Sequence, residues 1–110
     1  MSLISKQKKV RDCFSGIDCD VYHYWRSKKN FPCLIWAEDS ESSSAHADNK
    51  KQEQVLHGTA DYFTRKEYDL NIDVIQNNMN KTQGLSWRLN SVQYEEETNM
   101  IHFEWEFEVV

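Results

Sequence analysis

The sequence predicts one α+β domain with the element order α-β-β-β-α-β-β and a mainly antiparallel sheet packed against two helices. Its length of 110 residues fits a single domain over 1–110 and leaves no room for a second. Four Trp, five Tyr and five Phe exceed what a disordered chain carries, so a packed core is expected. Apolar residues recur at helical spacing in two segments and follow strand patterns elsewhere, and these patterns assign the elements.

The first third of the chain predicts a helix and two strands. Apolar residues recur at helical spacing at Leu3, Val10, Phe14 and Ile17. We expect an amphipathic helix there that ends near Gly16. The β-forming run 21–25 predicts the first strand, and the continuous apolar run 33–37 predicts a second strand covered on both faces. These strands are close enough in sequence to form a hairpin.

Residues 38–54 contain no large apolar side chain. A polar segment of this length is typical of a functional or disordered loop, so we expect a mobile polar loop that leaves the core. Apolar residues return at Val55 and alternate through the next strand, with Leu56, Ala60 and Tyr62 on one side. Gly58 in this strand indicates a bulge or a close approach of another backbone.

The last third predicts a helix and a β-hairpin. Asp69 or Asn71 can cap the start of the helix, which ends before Gly84. The final strand has the clearest pattern, because five apolar residues alternate with polar ones: Ile101, Phe103, Trp105, Phe107 and Val109. In the strand before it the apolar phase shifts at Asn90 and Ser91, which predicts a β-bulge or a strong twist.

The charge is unevenly distributed along the chain. Residues 1–30 carry seven basic and three acidic side chains, a net charge of +4, whereas residues 85–110 carry one basic and six acidic, a net charge of −5. The whole chain has a formal net charge of −5, which is unlike a nucleic-acid binder. Opposite charges on different faces would suit head-to-tail self-association, and a solvated mixed surface is the alternative. The candidate self-association residues are Glu104, Glu106 and Glu108 at the acidic end and Lys6, Lys8, Lys9 and Arg11 at the basic end.

The cysteines and histidines of the sequence form no known catalytic or metal-binding motif. Cys13, Cys19 and Cys33 are an odd set without a CxxC pair, so free thiols in a reducing compartment are expected. The four histidines have no HxH or HxxxH spacing, so we expect no metal, no cofactor and no catalysis. A small metal-dependent enzyme is an alternative. No apolar run approaches the roughly 20 residues that span a bilayer, so no membrane partner is expected.

Three segments resemble small proteins of phages and prophages of Gram-positive bacteria. They are CLIWAEDSESSSAHADNKK, HGTADYFTRKEYD and LNSVQYEEETNMIHFEWEFEV, and the resemblance covers roughly residues 20–109. The proteins concerned belong to the tail-completion module and are similar to the tail terminator and tail-to-head joining families. The resemblance contains no catalytic motif.

This resemblance implies a structural virion protein of the tail or neck, assembled in the bacterial host cytoplasm. Such proteins have a compact α+β fold and form rings, commonly hexameric, that join the tail tube to the head connector, although a subunit can be a monomer when free. The polar loop could then become ordered on a tube or connector. Its candidate partner-binding residues are Glu38, Asp39, Glu41, His46, Asp48, Lys50 and Lys51. The alternative is a protein- or ligand-binding module of prophage or bacterial origin without a virion role.

Overall fold

The computed structural model describes residues 2–28, 30–47 and 50–110, and for 43–47 and 50–52 it describes the backbone only. Two helices and five strands follow the predicted order. They are α1 (Leu3–Cys13), β1 (Asp20–His23), β2 (Cys33–Ala47), β3 (Lys50–Thr64), α2 (Asn71–Lys81), β4 (Leu85–Glu95) and β5 (Met100–Val109). The predicted α+β class is therefore confirmed.

The five strands form one sheet with the spatial order β1-β2-β3-β5-β4. All neighbouring strands are antiparallel except β1 and β2, which run parallel with Asp20 opposite Cys33 and His23 opposite Trp36. The predicted hairpin between the first two strands is therefore wrong. Because the pair is parallel, β2 begins at the same end of the sheet as β1.

Both helices contribute to a hydrophobic core on one face of the sheet, here called the helix-covered face. Val10 and Phe14 of α1 and Ile75 and Met79 of α2 are fully buried in this core. The sheet contributes buried side chains from its three central strands: Leu34, Trp36, Leu56, Ala60, Tyr62, Trp105, Phe107 and Val109. The alternation predicted for β5 thus places Trp105, Phe107 and Val109 in the core, while Ile101 and Phe103 are partly buried.

The segment predicted as a loop, 38–54, instead continues β2 and β3 over its described residues. Pairing runs from Cys33 opposite Phe63 to Ala47 opposite Lys50, with three register shifts. A polar sequence can form such strands because the ladder hydrogen bonds use only the backbone. β5 ends its pairing with β3 at Leu56, which also pairs with Glu41, and beyond this point residues 43–47 and 50–55 form a two-stranded ladder. We call this two-stranded extension the arm.

Two local predictions for the sheet are confirmed. The register between β4 and β5 shifts between Leu89 and Ser91, where the apolar phase changes. Gly58 permits a close approach, since a Cβ atom there would lie 2.4 Å from Cζ of Phe107 and 2.6 Å from the carbonyl oxygen of Ala37. β4 itself is less buried than its pattern suggests, because it is an edge strand of the sheet. Its apolar side chains are half-buried or exposed: Leu85, Trp87, Leu89, Val92 and Tyr94.

Asp69 connects the start of α2 to β3. Its Oδ1 accepts a hydrogen bond from the backbone N–H of Asn71 at 2.9 Å, which is one of the two predicted ways to satisfy the helix start. Its Oδ2 accepts hydrogen bonds from the hydroxyls of Tyr62 at 2.5 Å and Thr64 at 2.7 Å. Burial alone would raise the pKa of Asp69, but these hydrogen bonds outweigh it and hold the pKa below its ordinary value.

Candidate functional site

The face of the sheet opposite the helices, here called the open face, carries most of the candidate chemistry. No helix among the described residues covers it, and its side chains alternate with the core residues of the same strands. Its members from β3 and β5 are His57, Thr59, Asp61, Phe63, His102, Glu104, Glu106 and Glu108. The strand period places all three acidic candidates of β5 on this one surface, as the alternation predicts.

Two of these three glutamates are held by neighbouring side chains. Glu106 accepts a hydrogen bond from Nε of Arg88 at 2.7 Å, and its other oxygen lies 3.7 Å from Nε2 of His57. Glu104 accepts a hydrogen bond from Nδ2 of Asn90. Glu108 is the most exposed of the three. Side chains of β3 and β4 therefore hold Glu104 and Glu106 in place, and Glu108 is the most accessible charge of the three.

Asp61, His102 and Glu104 form a compact cluster in the middle of the open face. One ligand atom from each residue lies within 4.8 Å of the other two, and Nε2 of His102 lies 2.7 Å from Oδ1 of Asp61. The His102 ring stacks on Phe63 with a centroid distance of 4.3 Å. Burial raises the pKa of Asp61, Glu104 adds to the rise through its charge, and the hydrogen bond to His102 opposes it.

The basic candidates lie on α1, on the other side of the sheet from the acidic ones. Lys8 and Arg11 are exposed, whereas Lys9 donates a hydrogen bond to the carbonyl oxygen of Gln83 at 2.8 Å. Lys6 is only 3% exposed, and its ammonium group donates to the backbone carbonyl of Gln54 at the base of the arm. The prediction of Lys6 as a surface charge is therefore wrong, because the helix face that carries it turns toward β3.

A groove of about 350 Å³ lies between α1 and the β1 edge of the sheet. Its lining combines apolar, aromatic and basic side chains: Ile4, Gln7, Lys8, Arg11, Val21, His23 and Trp36. The rings of His23 and Trp36 stack with a centroid distance of 3.7 Å. Nε2 of His23 also lies 2.8 Å from Oε2 of Glu38, so this lining imidazole is held in place.

Glu38 and Asp39, two of the candidate partner-binding residues, have contacts within the domain. Glu38 accepts a hydrogen bond from Nε2 of Gln7 at 2.7 Å in addition to its contact with His23. Oδ1 of Asp39 lies 2.6 Å from Nδ1 of His57. Burial would raise the pKa of Glu38 and Asp39, but these contacts outweigh it. The pKa of each carboxyl therefore lies below its ordinary value.

The remaining candidates, apart from Asp48, lie on β2 and β3. Glu41 is exposed on β2, beside the arm. His46, Lys50 and Lys51 lie in the arm, but only their backbone is described. Asp48 lies outside the described residues.

The three cysteines are free thiols. Cys13 and Cys33 are buried, and burial raises the pKa of both. Burial, together with the charges of nearby acidic groups, raises the pKa of Cys19 to about 12. A thiolate is the reactive form of cysteine, so these environments disfavour a cysteine nucleophile.

No family model and no curated protein sequence matches this chain. Within the described residues, no helix is both long enough and apolar enough to cross a membrane.

Sequence reasoning missed the cluster of Asp61, His102 and Glu104. The sequence does show that His102 and Glu104 share a face, because they are two positions apart on a strand. The contribution of Asp61 depends on the β3–β5 register, in which Asp61 lies directly opposite Glu104. No local spacing rule connects two residues 43 positions apart in the sequence.

Proposed function

We propose that this chain is a structural phage tail-completion protein that assembles into a ring at the head–tail junction of the virion and catalyses no reaction. The resemblance of its three segments to tail terminator and tail-to-head joining proteins supports this assignment. The proposed partners are further copies of the chain, in a hexameric ring, together with the tail tube and the head connector.

The observation that carries the proposal is the separation of charge across the sheet. Lys8 and Arg11 are exposed on α1, which packs on the helix-covered face, and Glu108 is exposed on the opposite face. A ring subunit contacts its two neighbours through two different surfaces that must complement each other. Opposite charges on opposite sides of one layer meet this requirement and would disfavour face-to-face pairing of like surfaces.

The arm supports the same proposal. Its two strands extend past the five-stranded part of the sheet, and the described residues span 54 Å along their longest axis against 25 Å and 24 Å along the others. Such an extension contributes little to the core of its own domain. It can instead reach a neighbouring copy, the tail tube or the connector.

The experiment measures association of the purified chain with tail tubes and head connectors by sedimentation and native mass spectrometry. We expect ring-sized assemblies on one of the two partners. The charge-reversing variants Glu108→Lys and Lys8→Glu should each weaken assembly, and combining them should restore part of it. Glu97→Lys is the matched control, since it reverses an exposed charge in the β4–β5 turn.

Persistent absence of association with both tubes and connectors would contradict the proposal. A monomer in the absence of partners would not, because ring formation can require the partner. Unchanged assembly in both single variants would show that the charged surfaces are merely solvated.

The groove between α1 and β1 favours a second candidate function, a binding module without a virion role. Ile4 and Val21 contribute apolar surface to the groove, while Lys8 and Arg11 contribute positive charge, so an acidic peptide with apolar side chains would fit its chemistry. Saturable binding of such a ligand, together with no association with tubes or connectors, would favour this candidate.

A further inference from the structure

The geometry points to a binding site for one divalent transition-metal ion at Asp61, His102 and Glu104 on the open face. The three side chains offer an imidazole nitrogen and two carboxylate oxygens, and one ligand atom from each lies within 4.8 Å of the others. Zinc and similar ions bind these donors at about 2.0–2.2 Å. Small rotations of the side chains would therefore bring all three donors around one ion.

The positions of the three residues are set by the sheet. His102 and Glu104 are alternate residues of β5 and project from the same face, and Asp61 lies opposite Glu104 on β3. Two paired strands in the middle of a five-stranded sheet are a rigid support. Because the strands position the three residues before an ion binds, little conformational entropy is lost on binding.

Neighbouring side chains orient two of the donors. The ring of Phe63 stacks against His102, which restricts the rotation of the imidazole. Nδ2 of Asn90 donates to Oε1 of Glu104, which restricts the rotation of this carboxylate. Supporting contacts of this kind are common around metal ligands and strengthen ion binding.

The electrostatic environment also favours a cation. The carboxyl groups of Asp61 and Glu104 face each other across the strand pair, and the side chains of His102 and Asp61 are only 20% and 24% exposed. Arg88, a positive charge on the same face, already pairs with Glu106. A divalent ion would neutralise both carboxylates at a place where water screens them poorly.

Nε2 of His102 contacts Oδ1 of Asp61, so an ion bound at Nε2 would replace this contact, with the imidazole proton on Nδ1. Three protein donors leave at least one coordination position for water or an external ligand.

Isothermal titration of the EDTA-treated, dialysed chain with Zn²⁺ tests the site. We expect one ion per chain, and at least about a tenfold loss of affinity in each of Asp61→Asn, His102→Gln and Glu104→Gln. Glu106→Gln and His57→Gln are matched controls on the same face and should keep the wild-type affinity. Circular dichroism spectra identify any variant that has lost its fold, and the remaining variants then decide the outcome.

A second probe separates this site from the three thiols. The absorption spectrum of the Co²⁺-loaded chain should show only the weak bands of nitrogen and oxygen donors, without the strong near-ultraviolet band of thiolate coordination. A thiolate band, wild-type affinity in His102→Gln, or no saturable Zn²⁺ binding would each overturn the assignment.

Discussion

The two faces of the sheet use the same strands for different purposes. On the helix-covered face, Trp105 and Phe107 are buried against α1 and α2, and stability there comes from apolar surface removed from water. On the open face, the alternate residues of β5 are polar: His102 contacts the carboxylate of Asp61 on β3, and Glu106 contacts His57 on β3 and Arg88 on β4. The difference shows that the core can be maintained by one face alone, which leaves the other face available for binding.

The largest expected effect is on the helix-covered face. Trp105→Ala should lower the free energy of unfolding by about 3–5 kcal/mol, because it leaves a cavity in a fully buried site. Urea denaturation followed by circular dichroism measures this change. Trp25→Ala is the matched control, since Trp25 is 71% exposed and should change stability by less than about 0.5 kcal/mol. A loss of free energy of unfolding below about 1 kcal/mol in Trp105→Ala would contradict the full burial of this side chain.

The second-largest effect is expected at Gly58, where the backbone lies close to the Phe107 ring. Gly58→Ala should cost about 1–3 kcal/mol, because the new Cβ would overlap the Phe107 ring and the Ala37 carbonyl. Thermal denaturation compared with Thr59→Ala, the adjacent residue on the open face, measures it. Equal melting temperatures for the two variants would show that the ring has room to move.

The third effect is smaller and depends on pH. Asp69→Asn should cost about 1–2 kcal/mol at neutral pH, because it weakens hydrogen bonds to a buried carboxylate. The folded-state pKa of Asp69 lies below its ordinary value of 3.8, so its stabilising effect is present above that pH and is lost as the pH falls through the folded-state pKa.

Urea denaturation of both proteins across a pH series checks this dependence. The difference in free energy of unfolding between wild type and Asp69→Asn should be largest near neutral pH and should shrink below pH 3.8. A difference that does not change with pH would mean that the charge of Asp69 is not what stabilises the helix start.

The smallest effect is expected on the open face. Arg88→Ala removes the ion pair with Glu106, but the Arg88 side chain is 71% exposed, so the cost should be below about 1 kcal/mol. The same denaturation measurement in low and high salt should show the remaining difference diminishing with salt. A loss comparable to that of Trp105→Ala would show that the open face stabilises the fold as strongly as the core.

Much of the fold could be predicted from local patterns. The alternation in β5 identified its buried and polar faces, and the phase change at Asn90 and Ser91 located the bulge. The arm could not be predicted in this way, because residues 38–54 lack the apolar alternation that signals a strand. Composition indicates whether a segment can be buried, but it does not show whether its backbone finds a pairing partner.

The candidate sites were predicted less completely. Glu104, Glu106 and Glu108 share a face because the strand period requires it, whereas the burial of Lys6 depends on how α1 is rotated against β3. The parallel pairing of β1 with β2 could not be predicted from local patterns either, since it joins strands whose direction depends on the whole sheet.

The sequence by itself determined the class and order of the elements, the core face of β5 and the separation of basic and acidic segments. These features follow from residue periodicity and composition, which act over a few neighbouring positions. Only the tertiary structure decided the strand order, the arm and the meeting of Asp61 with His102 and Glu104. Strand register joins residues that are distant in the chain, and it depends on the free energy of packing the whole sheet against its helices.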